Sequence, residues 1–241
     1  MHVLGIILAR AGSKGLPDKC VRPVLGRPMI EYTFDHALAA TALNRVVLTT
    51  DSQPAKRLAR ARGVEVVDRP AALATDAARV DAAARHAVES FEAGGGGAVD
   101  AVVLLYANIP VRPEGIIDRA VDHLIAIGAD SVRTVAPIGR HHPDWLHRLD
   151  GDRMRQFREN GIYRRQDLTP LFYHDGAVAA VTRAALFRET ACADDGQAFL
   201  GADRRAIVLA PEDVVDVDTP LDVLVAEGVM RLRMVDPVNA T

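Results

Sequence analysis

The chain has 241 residues, 49% of them apolar and 25% charged, with a net charge of −3, which is ordinary for a globular protein with one sizeable core. This balance excludes a global electrostatic pull toward nucleic acid or an anionic membrane, and 5% aromatic residues leave little material for base-stacking platforms. No apolar run reaches the ~20 residues of a membrane-spanning helix, and the two cysteines, Cys20 and Cys192, form neither a metal-ligand pair nor a disulfide framework.

Residues 3–9 are a short apolar run that reads as a buried strand. Ala9-Arg10-Ala11 imitates a signal-peptidase site, but no basic segment precedes the run, so the expectation is a first strand in a cytoplasmic protein. The run stops at Arg10. The loop beyond it carries three cations, Arg10, Lys14 and Lys19, among Gly12, Ser13 and Gly15. In open α/β sheets, ligands bind outside the carboxyl ends of strands. Glycines let backbone amides approach an anion, which the cations then hold, so a polyphosphate is the expected ligand. A solvated basic turn would have the same composition; its place directly after the first strand favours the anion site. No Gly-Lys-Ser/Thr follows Gly12 at P-loop distance and no Gly-x-Gly-x-x-Gly is present, which argues against P-loop ATPases and Rossmann dehydrogenases.

Pro28 opens a helix through residue 40, with Met29, Ile30, Phe34, Ala37, Leu38 and Leu43 near helical spacing. Residues 46–48 read as a buried strand. The polar cluster at 49–52 caps a helix over 54–62, which Gly63 ends, and 64–67 is the next strand. This alternation predicts a parallel sheet with right-handed crossovers. Asp76 can cap the following helix, whose inner face is Val80, Ala84, Ala87, Val88 and Phe91. Residues 94–97 are an exposed glycine loop, and 102–105 a central buried strand. A helix over 114–127 turns Ile117, Val121, Leu124 and Ile125 inward and stops at Gly128; 131–136 is a strand. From about 137 to 170 the pattern breaks. His141, His142, Trp145, His147 and seven arginines lie there, and the expectation is an arm with hairpin character that packs on another subunit. Strands at 176–181, 206–209 and 213–217 and a short helix at 183–189 precede the last helix. That helix starts at Thr219-Pro220, with Leu221, Leu224, Val225, Val229 and Leu232 on one face.

Beyond the first loop, Asp216-Val217-Asp218-Thr219 carries the strongest chemical signal. In an extended segment two carboxylates two apart share a face, where they repel unless a cation joins them. Mg²⁺ takes one or two carboxylates together with phosphate oxygens and water. Helix capping by Asp218 or Thr219 explains the spacing equally well; a neighbouring polyphosphate loop tips the choice to the metal. Asp51 could be an N-cap. Arg69-Pro70 with Leu73-Ala74-Thr75-Asp76 could line a base pocket or form a turn. His141, His142 and His147 lack partners at zinc-motif spacing and fit a polar loop or interface. Cys20 reads as a non-catalytic thiol. Arg164 and Arg165 could clamp an acidic ligand or simply be solvated.

These stretches, in order, resemble the acylneuraminate cytidylyltransferases, the CMP-sialic acid synthetases. The resemblance rests on Ile7-Leu8-Ala9-Arg10-Ala11-Gly12-Ser13-Lys14-Gly15-Leu16-Pro17-x-Lys19, Thr50-Asp51-Ser52, Arg69-Pro70-x-x-Leu73-Ala74-Thr75-Asp76 and Leu104-Leu105 with Pro110 and Arg112. It continues through His141-His142-Pro143, Arg165-Gln166-x-Leu168, Gly176-Ala177-Val178 and Asp216-Val217-Asp218-Thr219. It implies a single nucleotidyltransferase domain over 1–241, built on a mainly parallel, Rossmann-like α/β sheet flanked by helices. The 137–170 arm would make a homodimer. The implied reaction joins CTP to the anomeric hydroxyl of an acidic 2-keto sugar, sialic acid or a related nonulosonic acid, and releases pyrophosphate. Ala9, Arg10, Ala11, Gly12, Ser13, Lys14, Lys19, Arg69 and Ala78 are then the expected nucleotide-binding residues. Arg10, Lys14, Lys19 and Asp218 would be catalytic, and Asp216 and Asp218 would hold Mg²⁺. Arg165, given across the dimer, would face the sugar carboxylate.

Four positions depart from the family pattern. Tyr106 stands for a glutamine, Asp175 for an asparagine, Cys20 for an asparagine, and Asp144-Trp145 for a lysine-bearing stretch. Tyr106, Asn108 and Asp175 are therefore expected to shape the acceptor side. A glycosyltransferase also uses an Asp-x-Asp, but has no need of a triphosphate loop. A non-catalytic sugar-nucleotide binder needs no Mg²⁺ pair.

Overall fold

A continuous apolar run makes β1 (Val3–Leu8), which is buried along its whole length. The computed structural model describes residues 1–12, 16, 19–188 and 195–235. Ser13, Lys14, Gly15, Pro17, Glu189 and Cys192, which carry expectations above, lie outside the described residues.

After β1 come the two-residue strands β2 (Pro23–Val24) and β3 (Arg27–Pro28), paired with each other, and then α1 (Met29–Ala39). β4 (Arg45–Thr50), α2 (Gln53–Ala61) and β5 (Glu65–Asp68) follow. Ser52 caps α2 by accepting the Ala55 amide, and Gly63 beyond it takes φ +69°. α3 (Val80–Phe91), β6 (Ala101–Tyr106), α4 (Ile116–Ile127) and β7 (Ser131–Pro137) complete the regular alternation. The arm contains the hairpin β8 (His147–Asp150) and β9 (Arg153–Gln156). Last come β10 (Phe172–Thr182), α5 (Arg183–Leu186), β11 (Arg204–Val208) and α6 (Pro220–Val235).

Among the described residues seven strands form one sheet in the order β11-β7-β10-β6-β1-β4-β5. Neighbours are parallel except around β10, which runs antiparallel to both β6 and β7. Strand alternation splits the core between the two faces. Ile7, Leu48, Val103 and Leu105 pack with Phe34 of α1, Ala59 of α2 and Leu124 of α4. Leu4, Ile6, Val47 and Leu104 pack with Ala84, Val88 and Phe91 of α3 and Leu186 of α5. No helix among the described residues is long and apolar enough to cross a membrane.

Three expectations change. Ile125 points outward at 52% exposure, and Ile116 takes its place in the buried stripe. Residues 213–217 are not a strand: Asp213 ends a 3-10 turn (Pro211–Asp213), and beyond it only Val215 pairs, in a single bridge with Val111. On α6, Leu221, Leu224, Val225 and Leu232 are exposed, while Ala226 is buried and Val223, Val229 and Met230 pack inward beside it.

Candidate active site

The site is built where β1 and β6, the two central parallel strands, end. Beyond β1 the chain is held to β4 by Ala9, whose amide donates to the Thr49 carbonyl at 3.3 Å. The Ala11 amide donates to Asp51 Oδ1 at 2.8 Å. Asp51 is therefore not a cap; it shapes the cationic loop. Arg10 meets Asp76 at 2.5 Å, so Asp76 serves this arginine, and α3 begins at Val80 with no side-chain cap. Lys19 opens a 3-10 turn and reaches Asp218 Oδ1 at 2.5 Å.

The facing wall comes from residues 215–218. Val215 and Val217 are buried, with Leu16 of the loop, in one apolar cluster that also holds Met29 and Ala226. The Val217 amide donates to the Asn108 carbonyl at 2.9 Å. Alternation then turns Asp216 and Asp218 the other way, toward Lys19 and Asn108. Neither acid caps α6. Thr219 and Asp222 do so reciprocally: the Thr219 amide and hydroxyl donate to Asp222 Oδ2 at 2.7 and 2.9 Å, and the Asp222 amide donates to Thr219 Oγ1 at 3.3 Å. Both carboxylates stay available. Asn108 donates its amide to the Asp216 carboxylate and, at 3.4 Å, to Asp218 Oδ1.

Asp216 is exposed as a residue, yet desolvation by the protein around it pushes its carboxyl pKa up to about 6. The Asp218 charge adds to the rise; Lys19 and Arg112 oppose it. Two repelling carboxylates, one already bound by an ammonium, form a donor set that suits a hard divalent cation with open positions for water and phosphate oxygens.

One pocket opens on the loop side, and the two acids stand outside its lining, joined to it through Lys19 and Asn108. It is lined by Ala9, Arg10, Lys19, Arg69, Ala78, Tyr106 and Asn108, and also by Leu73, Thr75, Arg79, Val80 and Ala83. Arg69 anchors its guanidinium on the Thr49 carbonyl at 2.8 Å, and burial pulls its pKa below the usual arginine range. Ala11 and Gly12 lie on the loop, outside this lining. Arg165 sits exposed in a 3-10 turn of the arm and does not line the pocket. Asp175 does not face the cleft as expected. It is 6% exposed, accepts from the Thr134 hydroxyl and the Ala177 amide (2.9 Å), and braces an irregular stretch of β10. Asn108, expected to touch the acceptor, gives its amide to the acid pair. His142 is buried, with Nε2 3.0 Å from the Thr169 carbonyl, and braces the base of the arm.

Sequence reasoning gave no role to Arg112. It is 2% exposed and donates to the carbonyls of Tyr106 (2.7 Å), Ile109 and Ala177 (2.9 Å) and to Thr33 Oγ1 (3.0 Å). It thus ties the segment after β6 to β10. Its only signal in the sequence was its place at the end of that segment.

An α/β sheet that ends in a cationic loop facing a carboxylate pair defines a nucleotide-handling domain. The chain belongs to the cytidylyltransferase family, whose model matches residues 4–183. Among similar proteins, an N-acylneuraminate cytidylyltransferase from Streptococcus agalactiae is 30% identical over 91% of this chain and 51% of its own length. The chain thus spans about half the length of the curated relatives it first matches. A CMP-N,N'-diacetyllegionaminic acid synthase from Legionella pneumophila is 28% identical over 97% of this chain and 98% of that protein. A pseudaminic acid cytidylyltransferase from Campylobacter jejuni is 26% identical over the same shares. Among solved structures, a CMP:2-keto-3-deoxy-manno-octonic acid synthetase complexed with CTP has the same fold, with a TM-score of 0.69 and 18% identity over 97% of this chain and 100% of that one.

Proposed function

We propose that this chain transfers CMP from CTP to the anomeric hydroxyl of an acidic 2-keto sugar, sialic acid or a related nonulosonic acid, and releases pyrophosphate. The observation that carries this reading is the Lys19–Asp218 ion pair, which sets the Asp216 and Asp218 carboxylates beside the pocket that the loop after β1 lines. Family membership and the legionaminic and pseudaminic relatives, matched over nearly their whole length, support the acceptor class.

In this reading Arg69, Ala78 and the backbone beside Ala9 hold the cytidine. The acceptor hydroxyl attacks the α-phosphorus, the bond to the β-phosphate breaks, and pyrophosphate leaves. Arg10 and Lys19, with Lys14 of the same loop, neutralise the charge that develops on it. Arg10 must exchange Asp76 for phosphate, and Lys19 must share its charge between Asp218 and phosphate. Asp216 and Asp218 would hold Mg²⁺, oriented by the Asn108 amide. When bound, the ion supplies further neutralisation of the phosphates and acidifies the acceptor hydroxyl. Tyr106 forms the rim on the acceptor side.

The same reading includes a homodimer and a cytoplasmic location. Every residue of the β8–β9 hairpin is exposed, including Leu149 at 70% and Met154 at 64%, as suits an arm that closes on a second copy. Arg165 would then be donated across the dimer to the acceptor carboxylate.

The test is a pyrophosphate-release matrix. It crosses CTP, UTP, GTP and ATP with N-acetylneuraminic, legionaminic, pseudaminic and 3-deoxy-manno-octulosonic acids. Turnover is expected with CTP and at least one of these acids. Turnover only with a neutral sugar phosphate would overturn the acceptor class.

A further inference from the structure

Beside Tyr106, outside the pocket lining itself, stands a further cation, Arg133. Arg133 lies in β7, level with Ala179 of β10, which is level with Leu104 of β6. Two residues beyond Leu104, on the same sheet face, Tyr106 forms the pocket rim. One guanidinium nitrogen of Arg133 is 3.5 Å from Gln197 Oε1. His174 Nε2, on β10 level with Val135, is 3.2 Å from the same oxygen. The Arg133 head therefore extends toward the carboxyl end of β7, on the side of Tyr106 away from β1.

Its charge is answered only at longer range, by Asp175. Among the described residues no carboxylate lies within ion-pair distance of Arg133, and its hydrogen bond to Gln197 is long and goes to a neutral amide. Neighbouring Arg204 is neutralised by Asp195 at 2.7 Å. Arg79, on the pocket rim, is held by Asp81 at 2.9 Å. Arg133 is half-buried, and burial pulls its pKa below the usual range, while Tyr106 and Asp175 oppose this electrostatically. A partly desolvated guanidinium without a directly paired counter-ion is costly, and its planar fork suits a carboxylate.

The triphosphate is not the matching anion. Its loop follows β1, and β6 stands between β1 and the β10–β7 side. The acceptor supplies the other anion. We propose that Arg133 binds the carboxylate of the acceptor sugar from within the subunit, with Gln197 and His174 setting its orientation and Tyr106 forming the wall toward the nucleotide. This rests on the cytidylyltransferase reading above. It makes Arg133 a specificity-determining residue that needs no second copy of the chain.

The experiment measures pyrophosphate release with CTP and whichever of the four acids the wild-type protein uses best, alongside the methyl ester of that acid. In Arg133→Gln the acceptor KM is expected to rise about 10- to 100-fold, the loss of one charge-assisted interaction, while the KM for CTP stays unchanged. Esterification is expected to cost the wild type a similar factor and Arg133→Gln nothing further. Gln197→Glu places a carboxylate on Arg133 from the exposed side and is expected to raise the acceptor KM likewise. It decides the matter if Arg133→Gln does not fold. A full ester penalty in Arg133→Gln, or an unchanged acceptor KM in Gln197→Glu, overturns the assignment and leaves cytidylyl transfer standing. No turnover by the wild type with CTP and any of the four acids overturns both.

Discussion

Asp216 and Asp218 are held within reach of each other by apolar neighbours, and the cost is electrostatic. Val215 and Val217 bury themselves and force both acids to one side, where Asp216 is pushed up to about 6. The ordinary aspartate value is about 3.9. A folded-state pKa above the unfolded value means that the proton favours the folded state. This carboxyl therefore contributes stability below about pH 4, and the contribution is lost as pH rises through about 6. A bound cation removes the conflict at neutral pH, but must displace the proton below about pH 6. The Mg²⁺ midpoint for turnover is expected to rise as pH falls through that value; a midpoint that stays flat there would argue against Asp216 as a ligand. Asp218→Ala removes one ligand and the partner of Lys19 from an exposed position. Turnover is expected to vanish at any Mg²⁺ concentration while the melting temperature holds. Arg112 works in the opposite way: its charge is buried and each of its guanidinium's hydrogen-bond partners is an acceptor. Burial pulls its pKa down to about 9. Arg112→Met leaves the Tyr106, Ile109 and Ala177 carbonyls without this donor, at about 1–3 kcal/mol for each that stays dry, so a loss of at least about 3 kcal/mol is expected in urea denaturation.

At the scale of elements, alternation was readable and direction was not. The helices and strands from β1 to β7 follow apolar periodicity and turn residues closely, because each β-α unit is local. A strand buried on both faces has the same composition whichever way it runs, so nothing in Ala177-Val178-Ala179-Ala180-Val181 reveals that β10 enters antiparallel between β6 and β7. That insertion places Asp175 inside, against Thr134, although its sequence position suggests a cleft contact. On α6 the periodicity marks one apolar face, of which only Val229 packs inward. Packing uses the face around Ala226 instead, and Leu221, Leu224 and Leu232 are left in solvent. The acid pair and cationic loop were legible because both are local motifs. Arg112 and Arg133 were not, since the role of a cation depends on which acceptors the tertiary fold brings to it. The irregular part of β10 carries its own prediction. Gly176 takes φ +79°, and an added Cβ would stand 2.8 Å from Ile109 Cδ1. Gly176→Ala is expected to cost about 1–2 kcal/mol from the left-handed backbone alone, and more from the clash. Ile109→Val should relieve part of that loss, measured as a double-mutant cycle on melting.

For the whole molecule, the question is what covers the apolar residues that the subunit leaves outside. Leu149 at 70% and Met154 at 64% face each other across the β8–β9 hairpin, and Phe157 and Phe172 are exposed near its base. A two-stranded hairpin is marginal alone in water, so its order calls for support from outside itself. A second copy of the chain supplies it in the dimer proposed above. Leu149→Glu with Met154→Glu sets two like charges opposite each other on that face, which disfavours both the cross-strand pair and any apolar contact with a partner. The main sheet contributes neither residue, so the double variant is expected to keep its core melting transition while light scattering reports a monomer at concentrations where the wild type is a dimer. Its turnover then tells two arginines apart. If Arg165 must come from the partner, the monomer loses activity that Arg165→Gln also loses. If Arg133 alone holds the acceptor carboxylate, the monomer keeps the acceptor KM of the wild type, and only Arg133→Gln raises it.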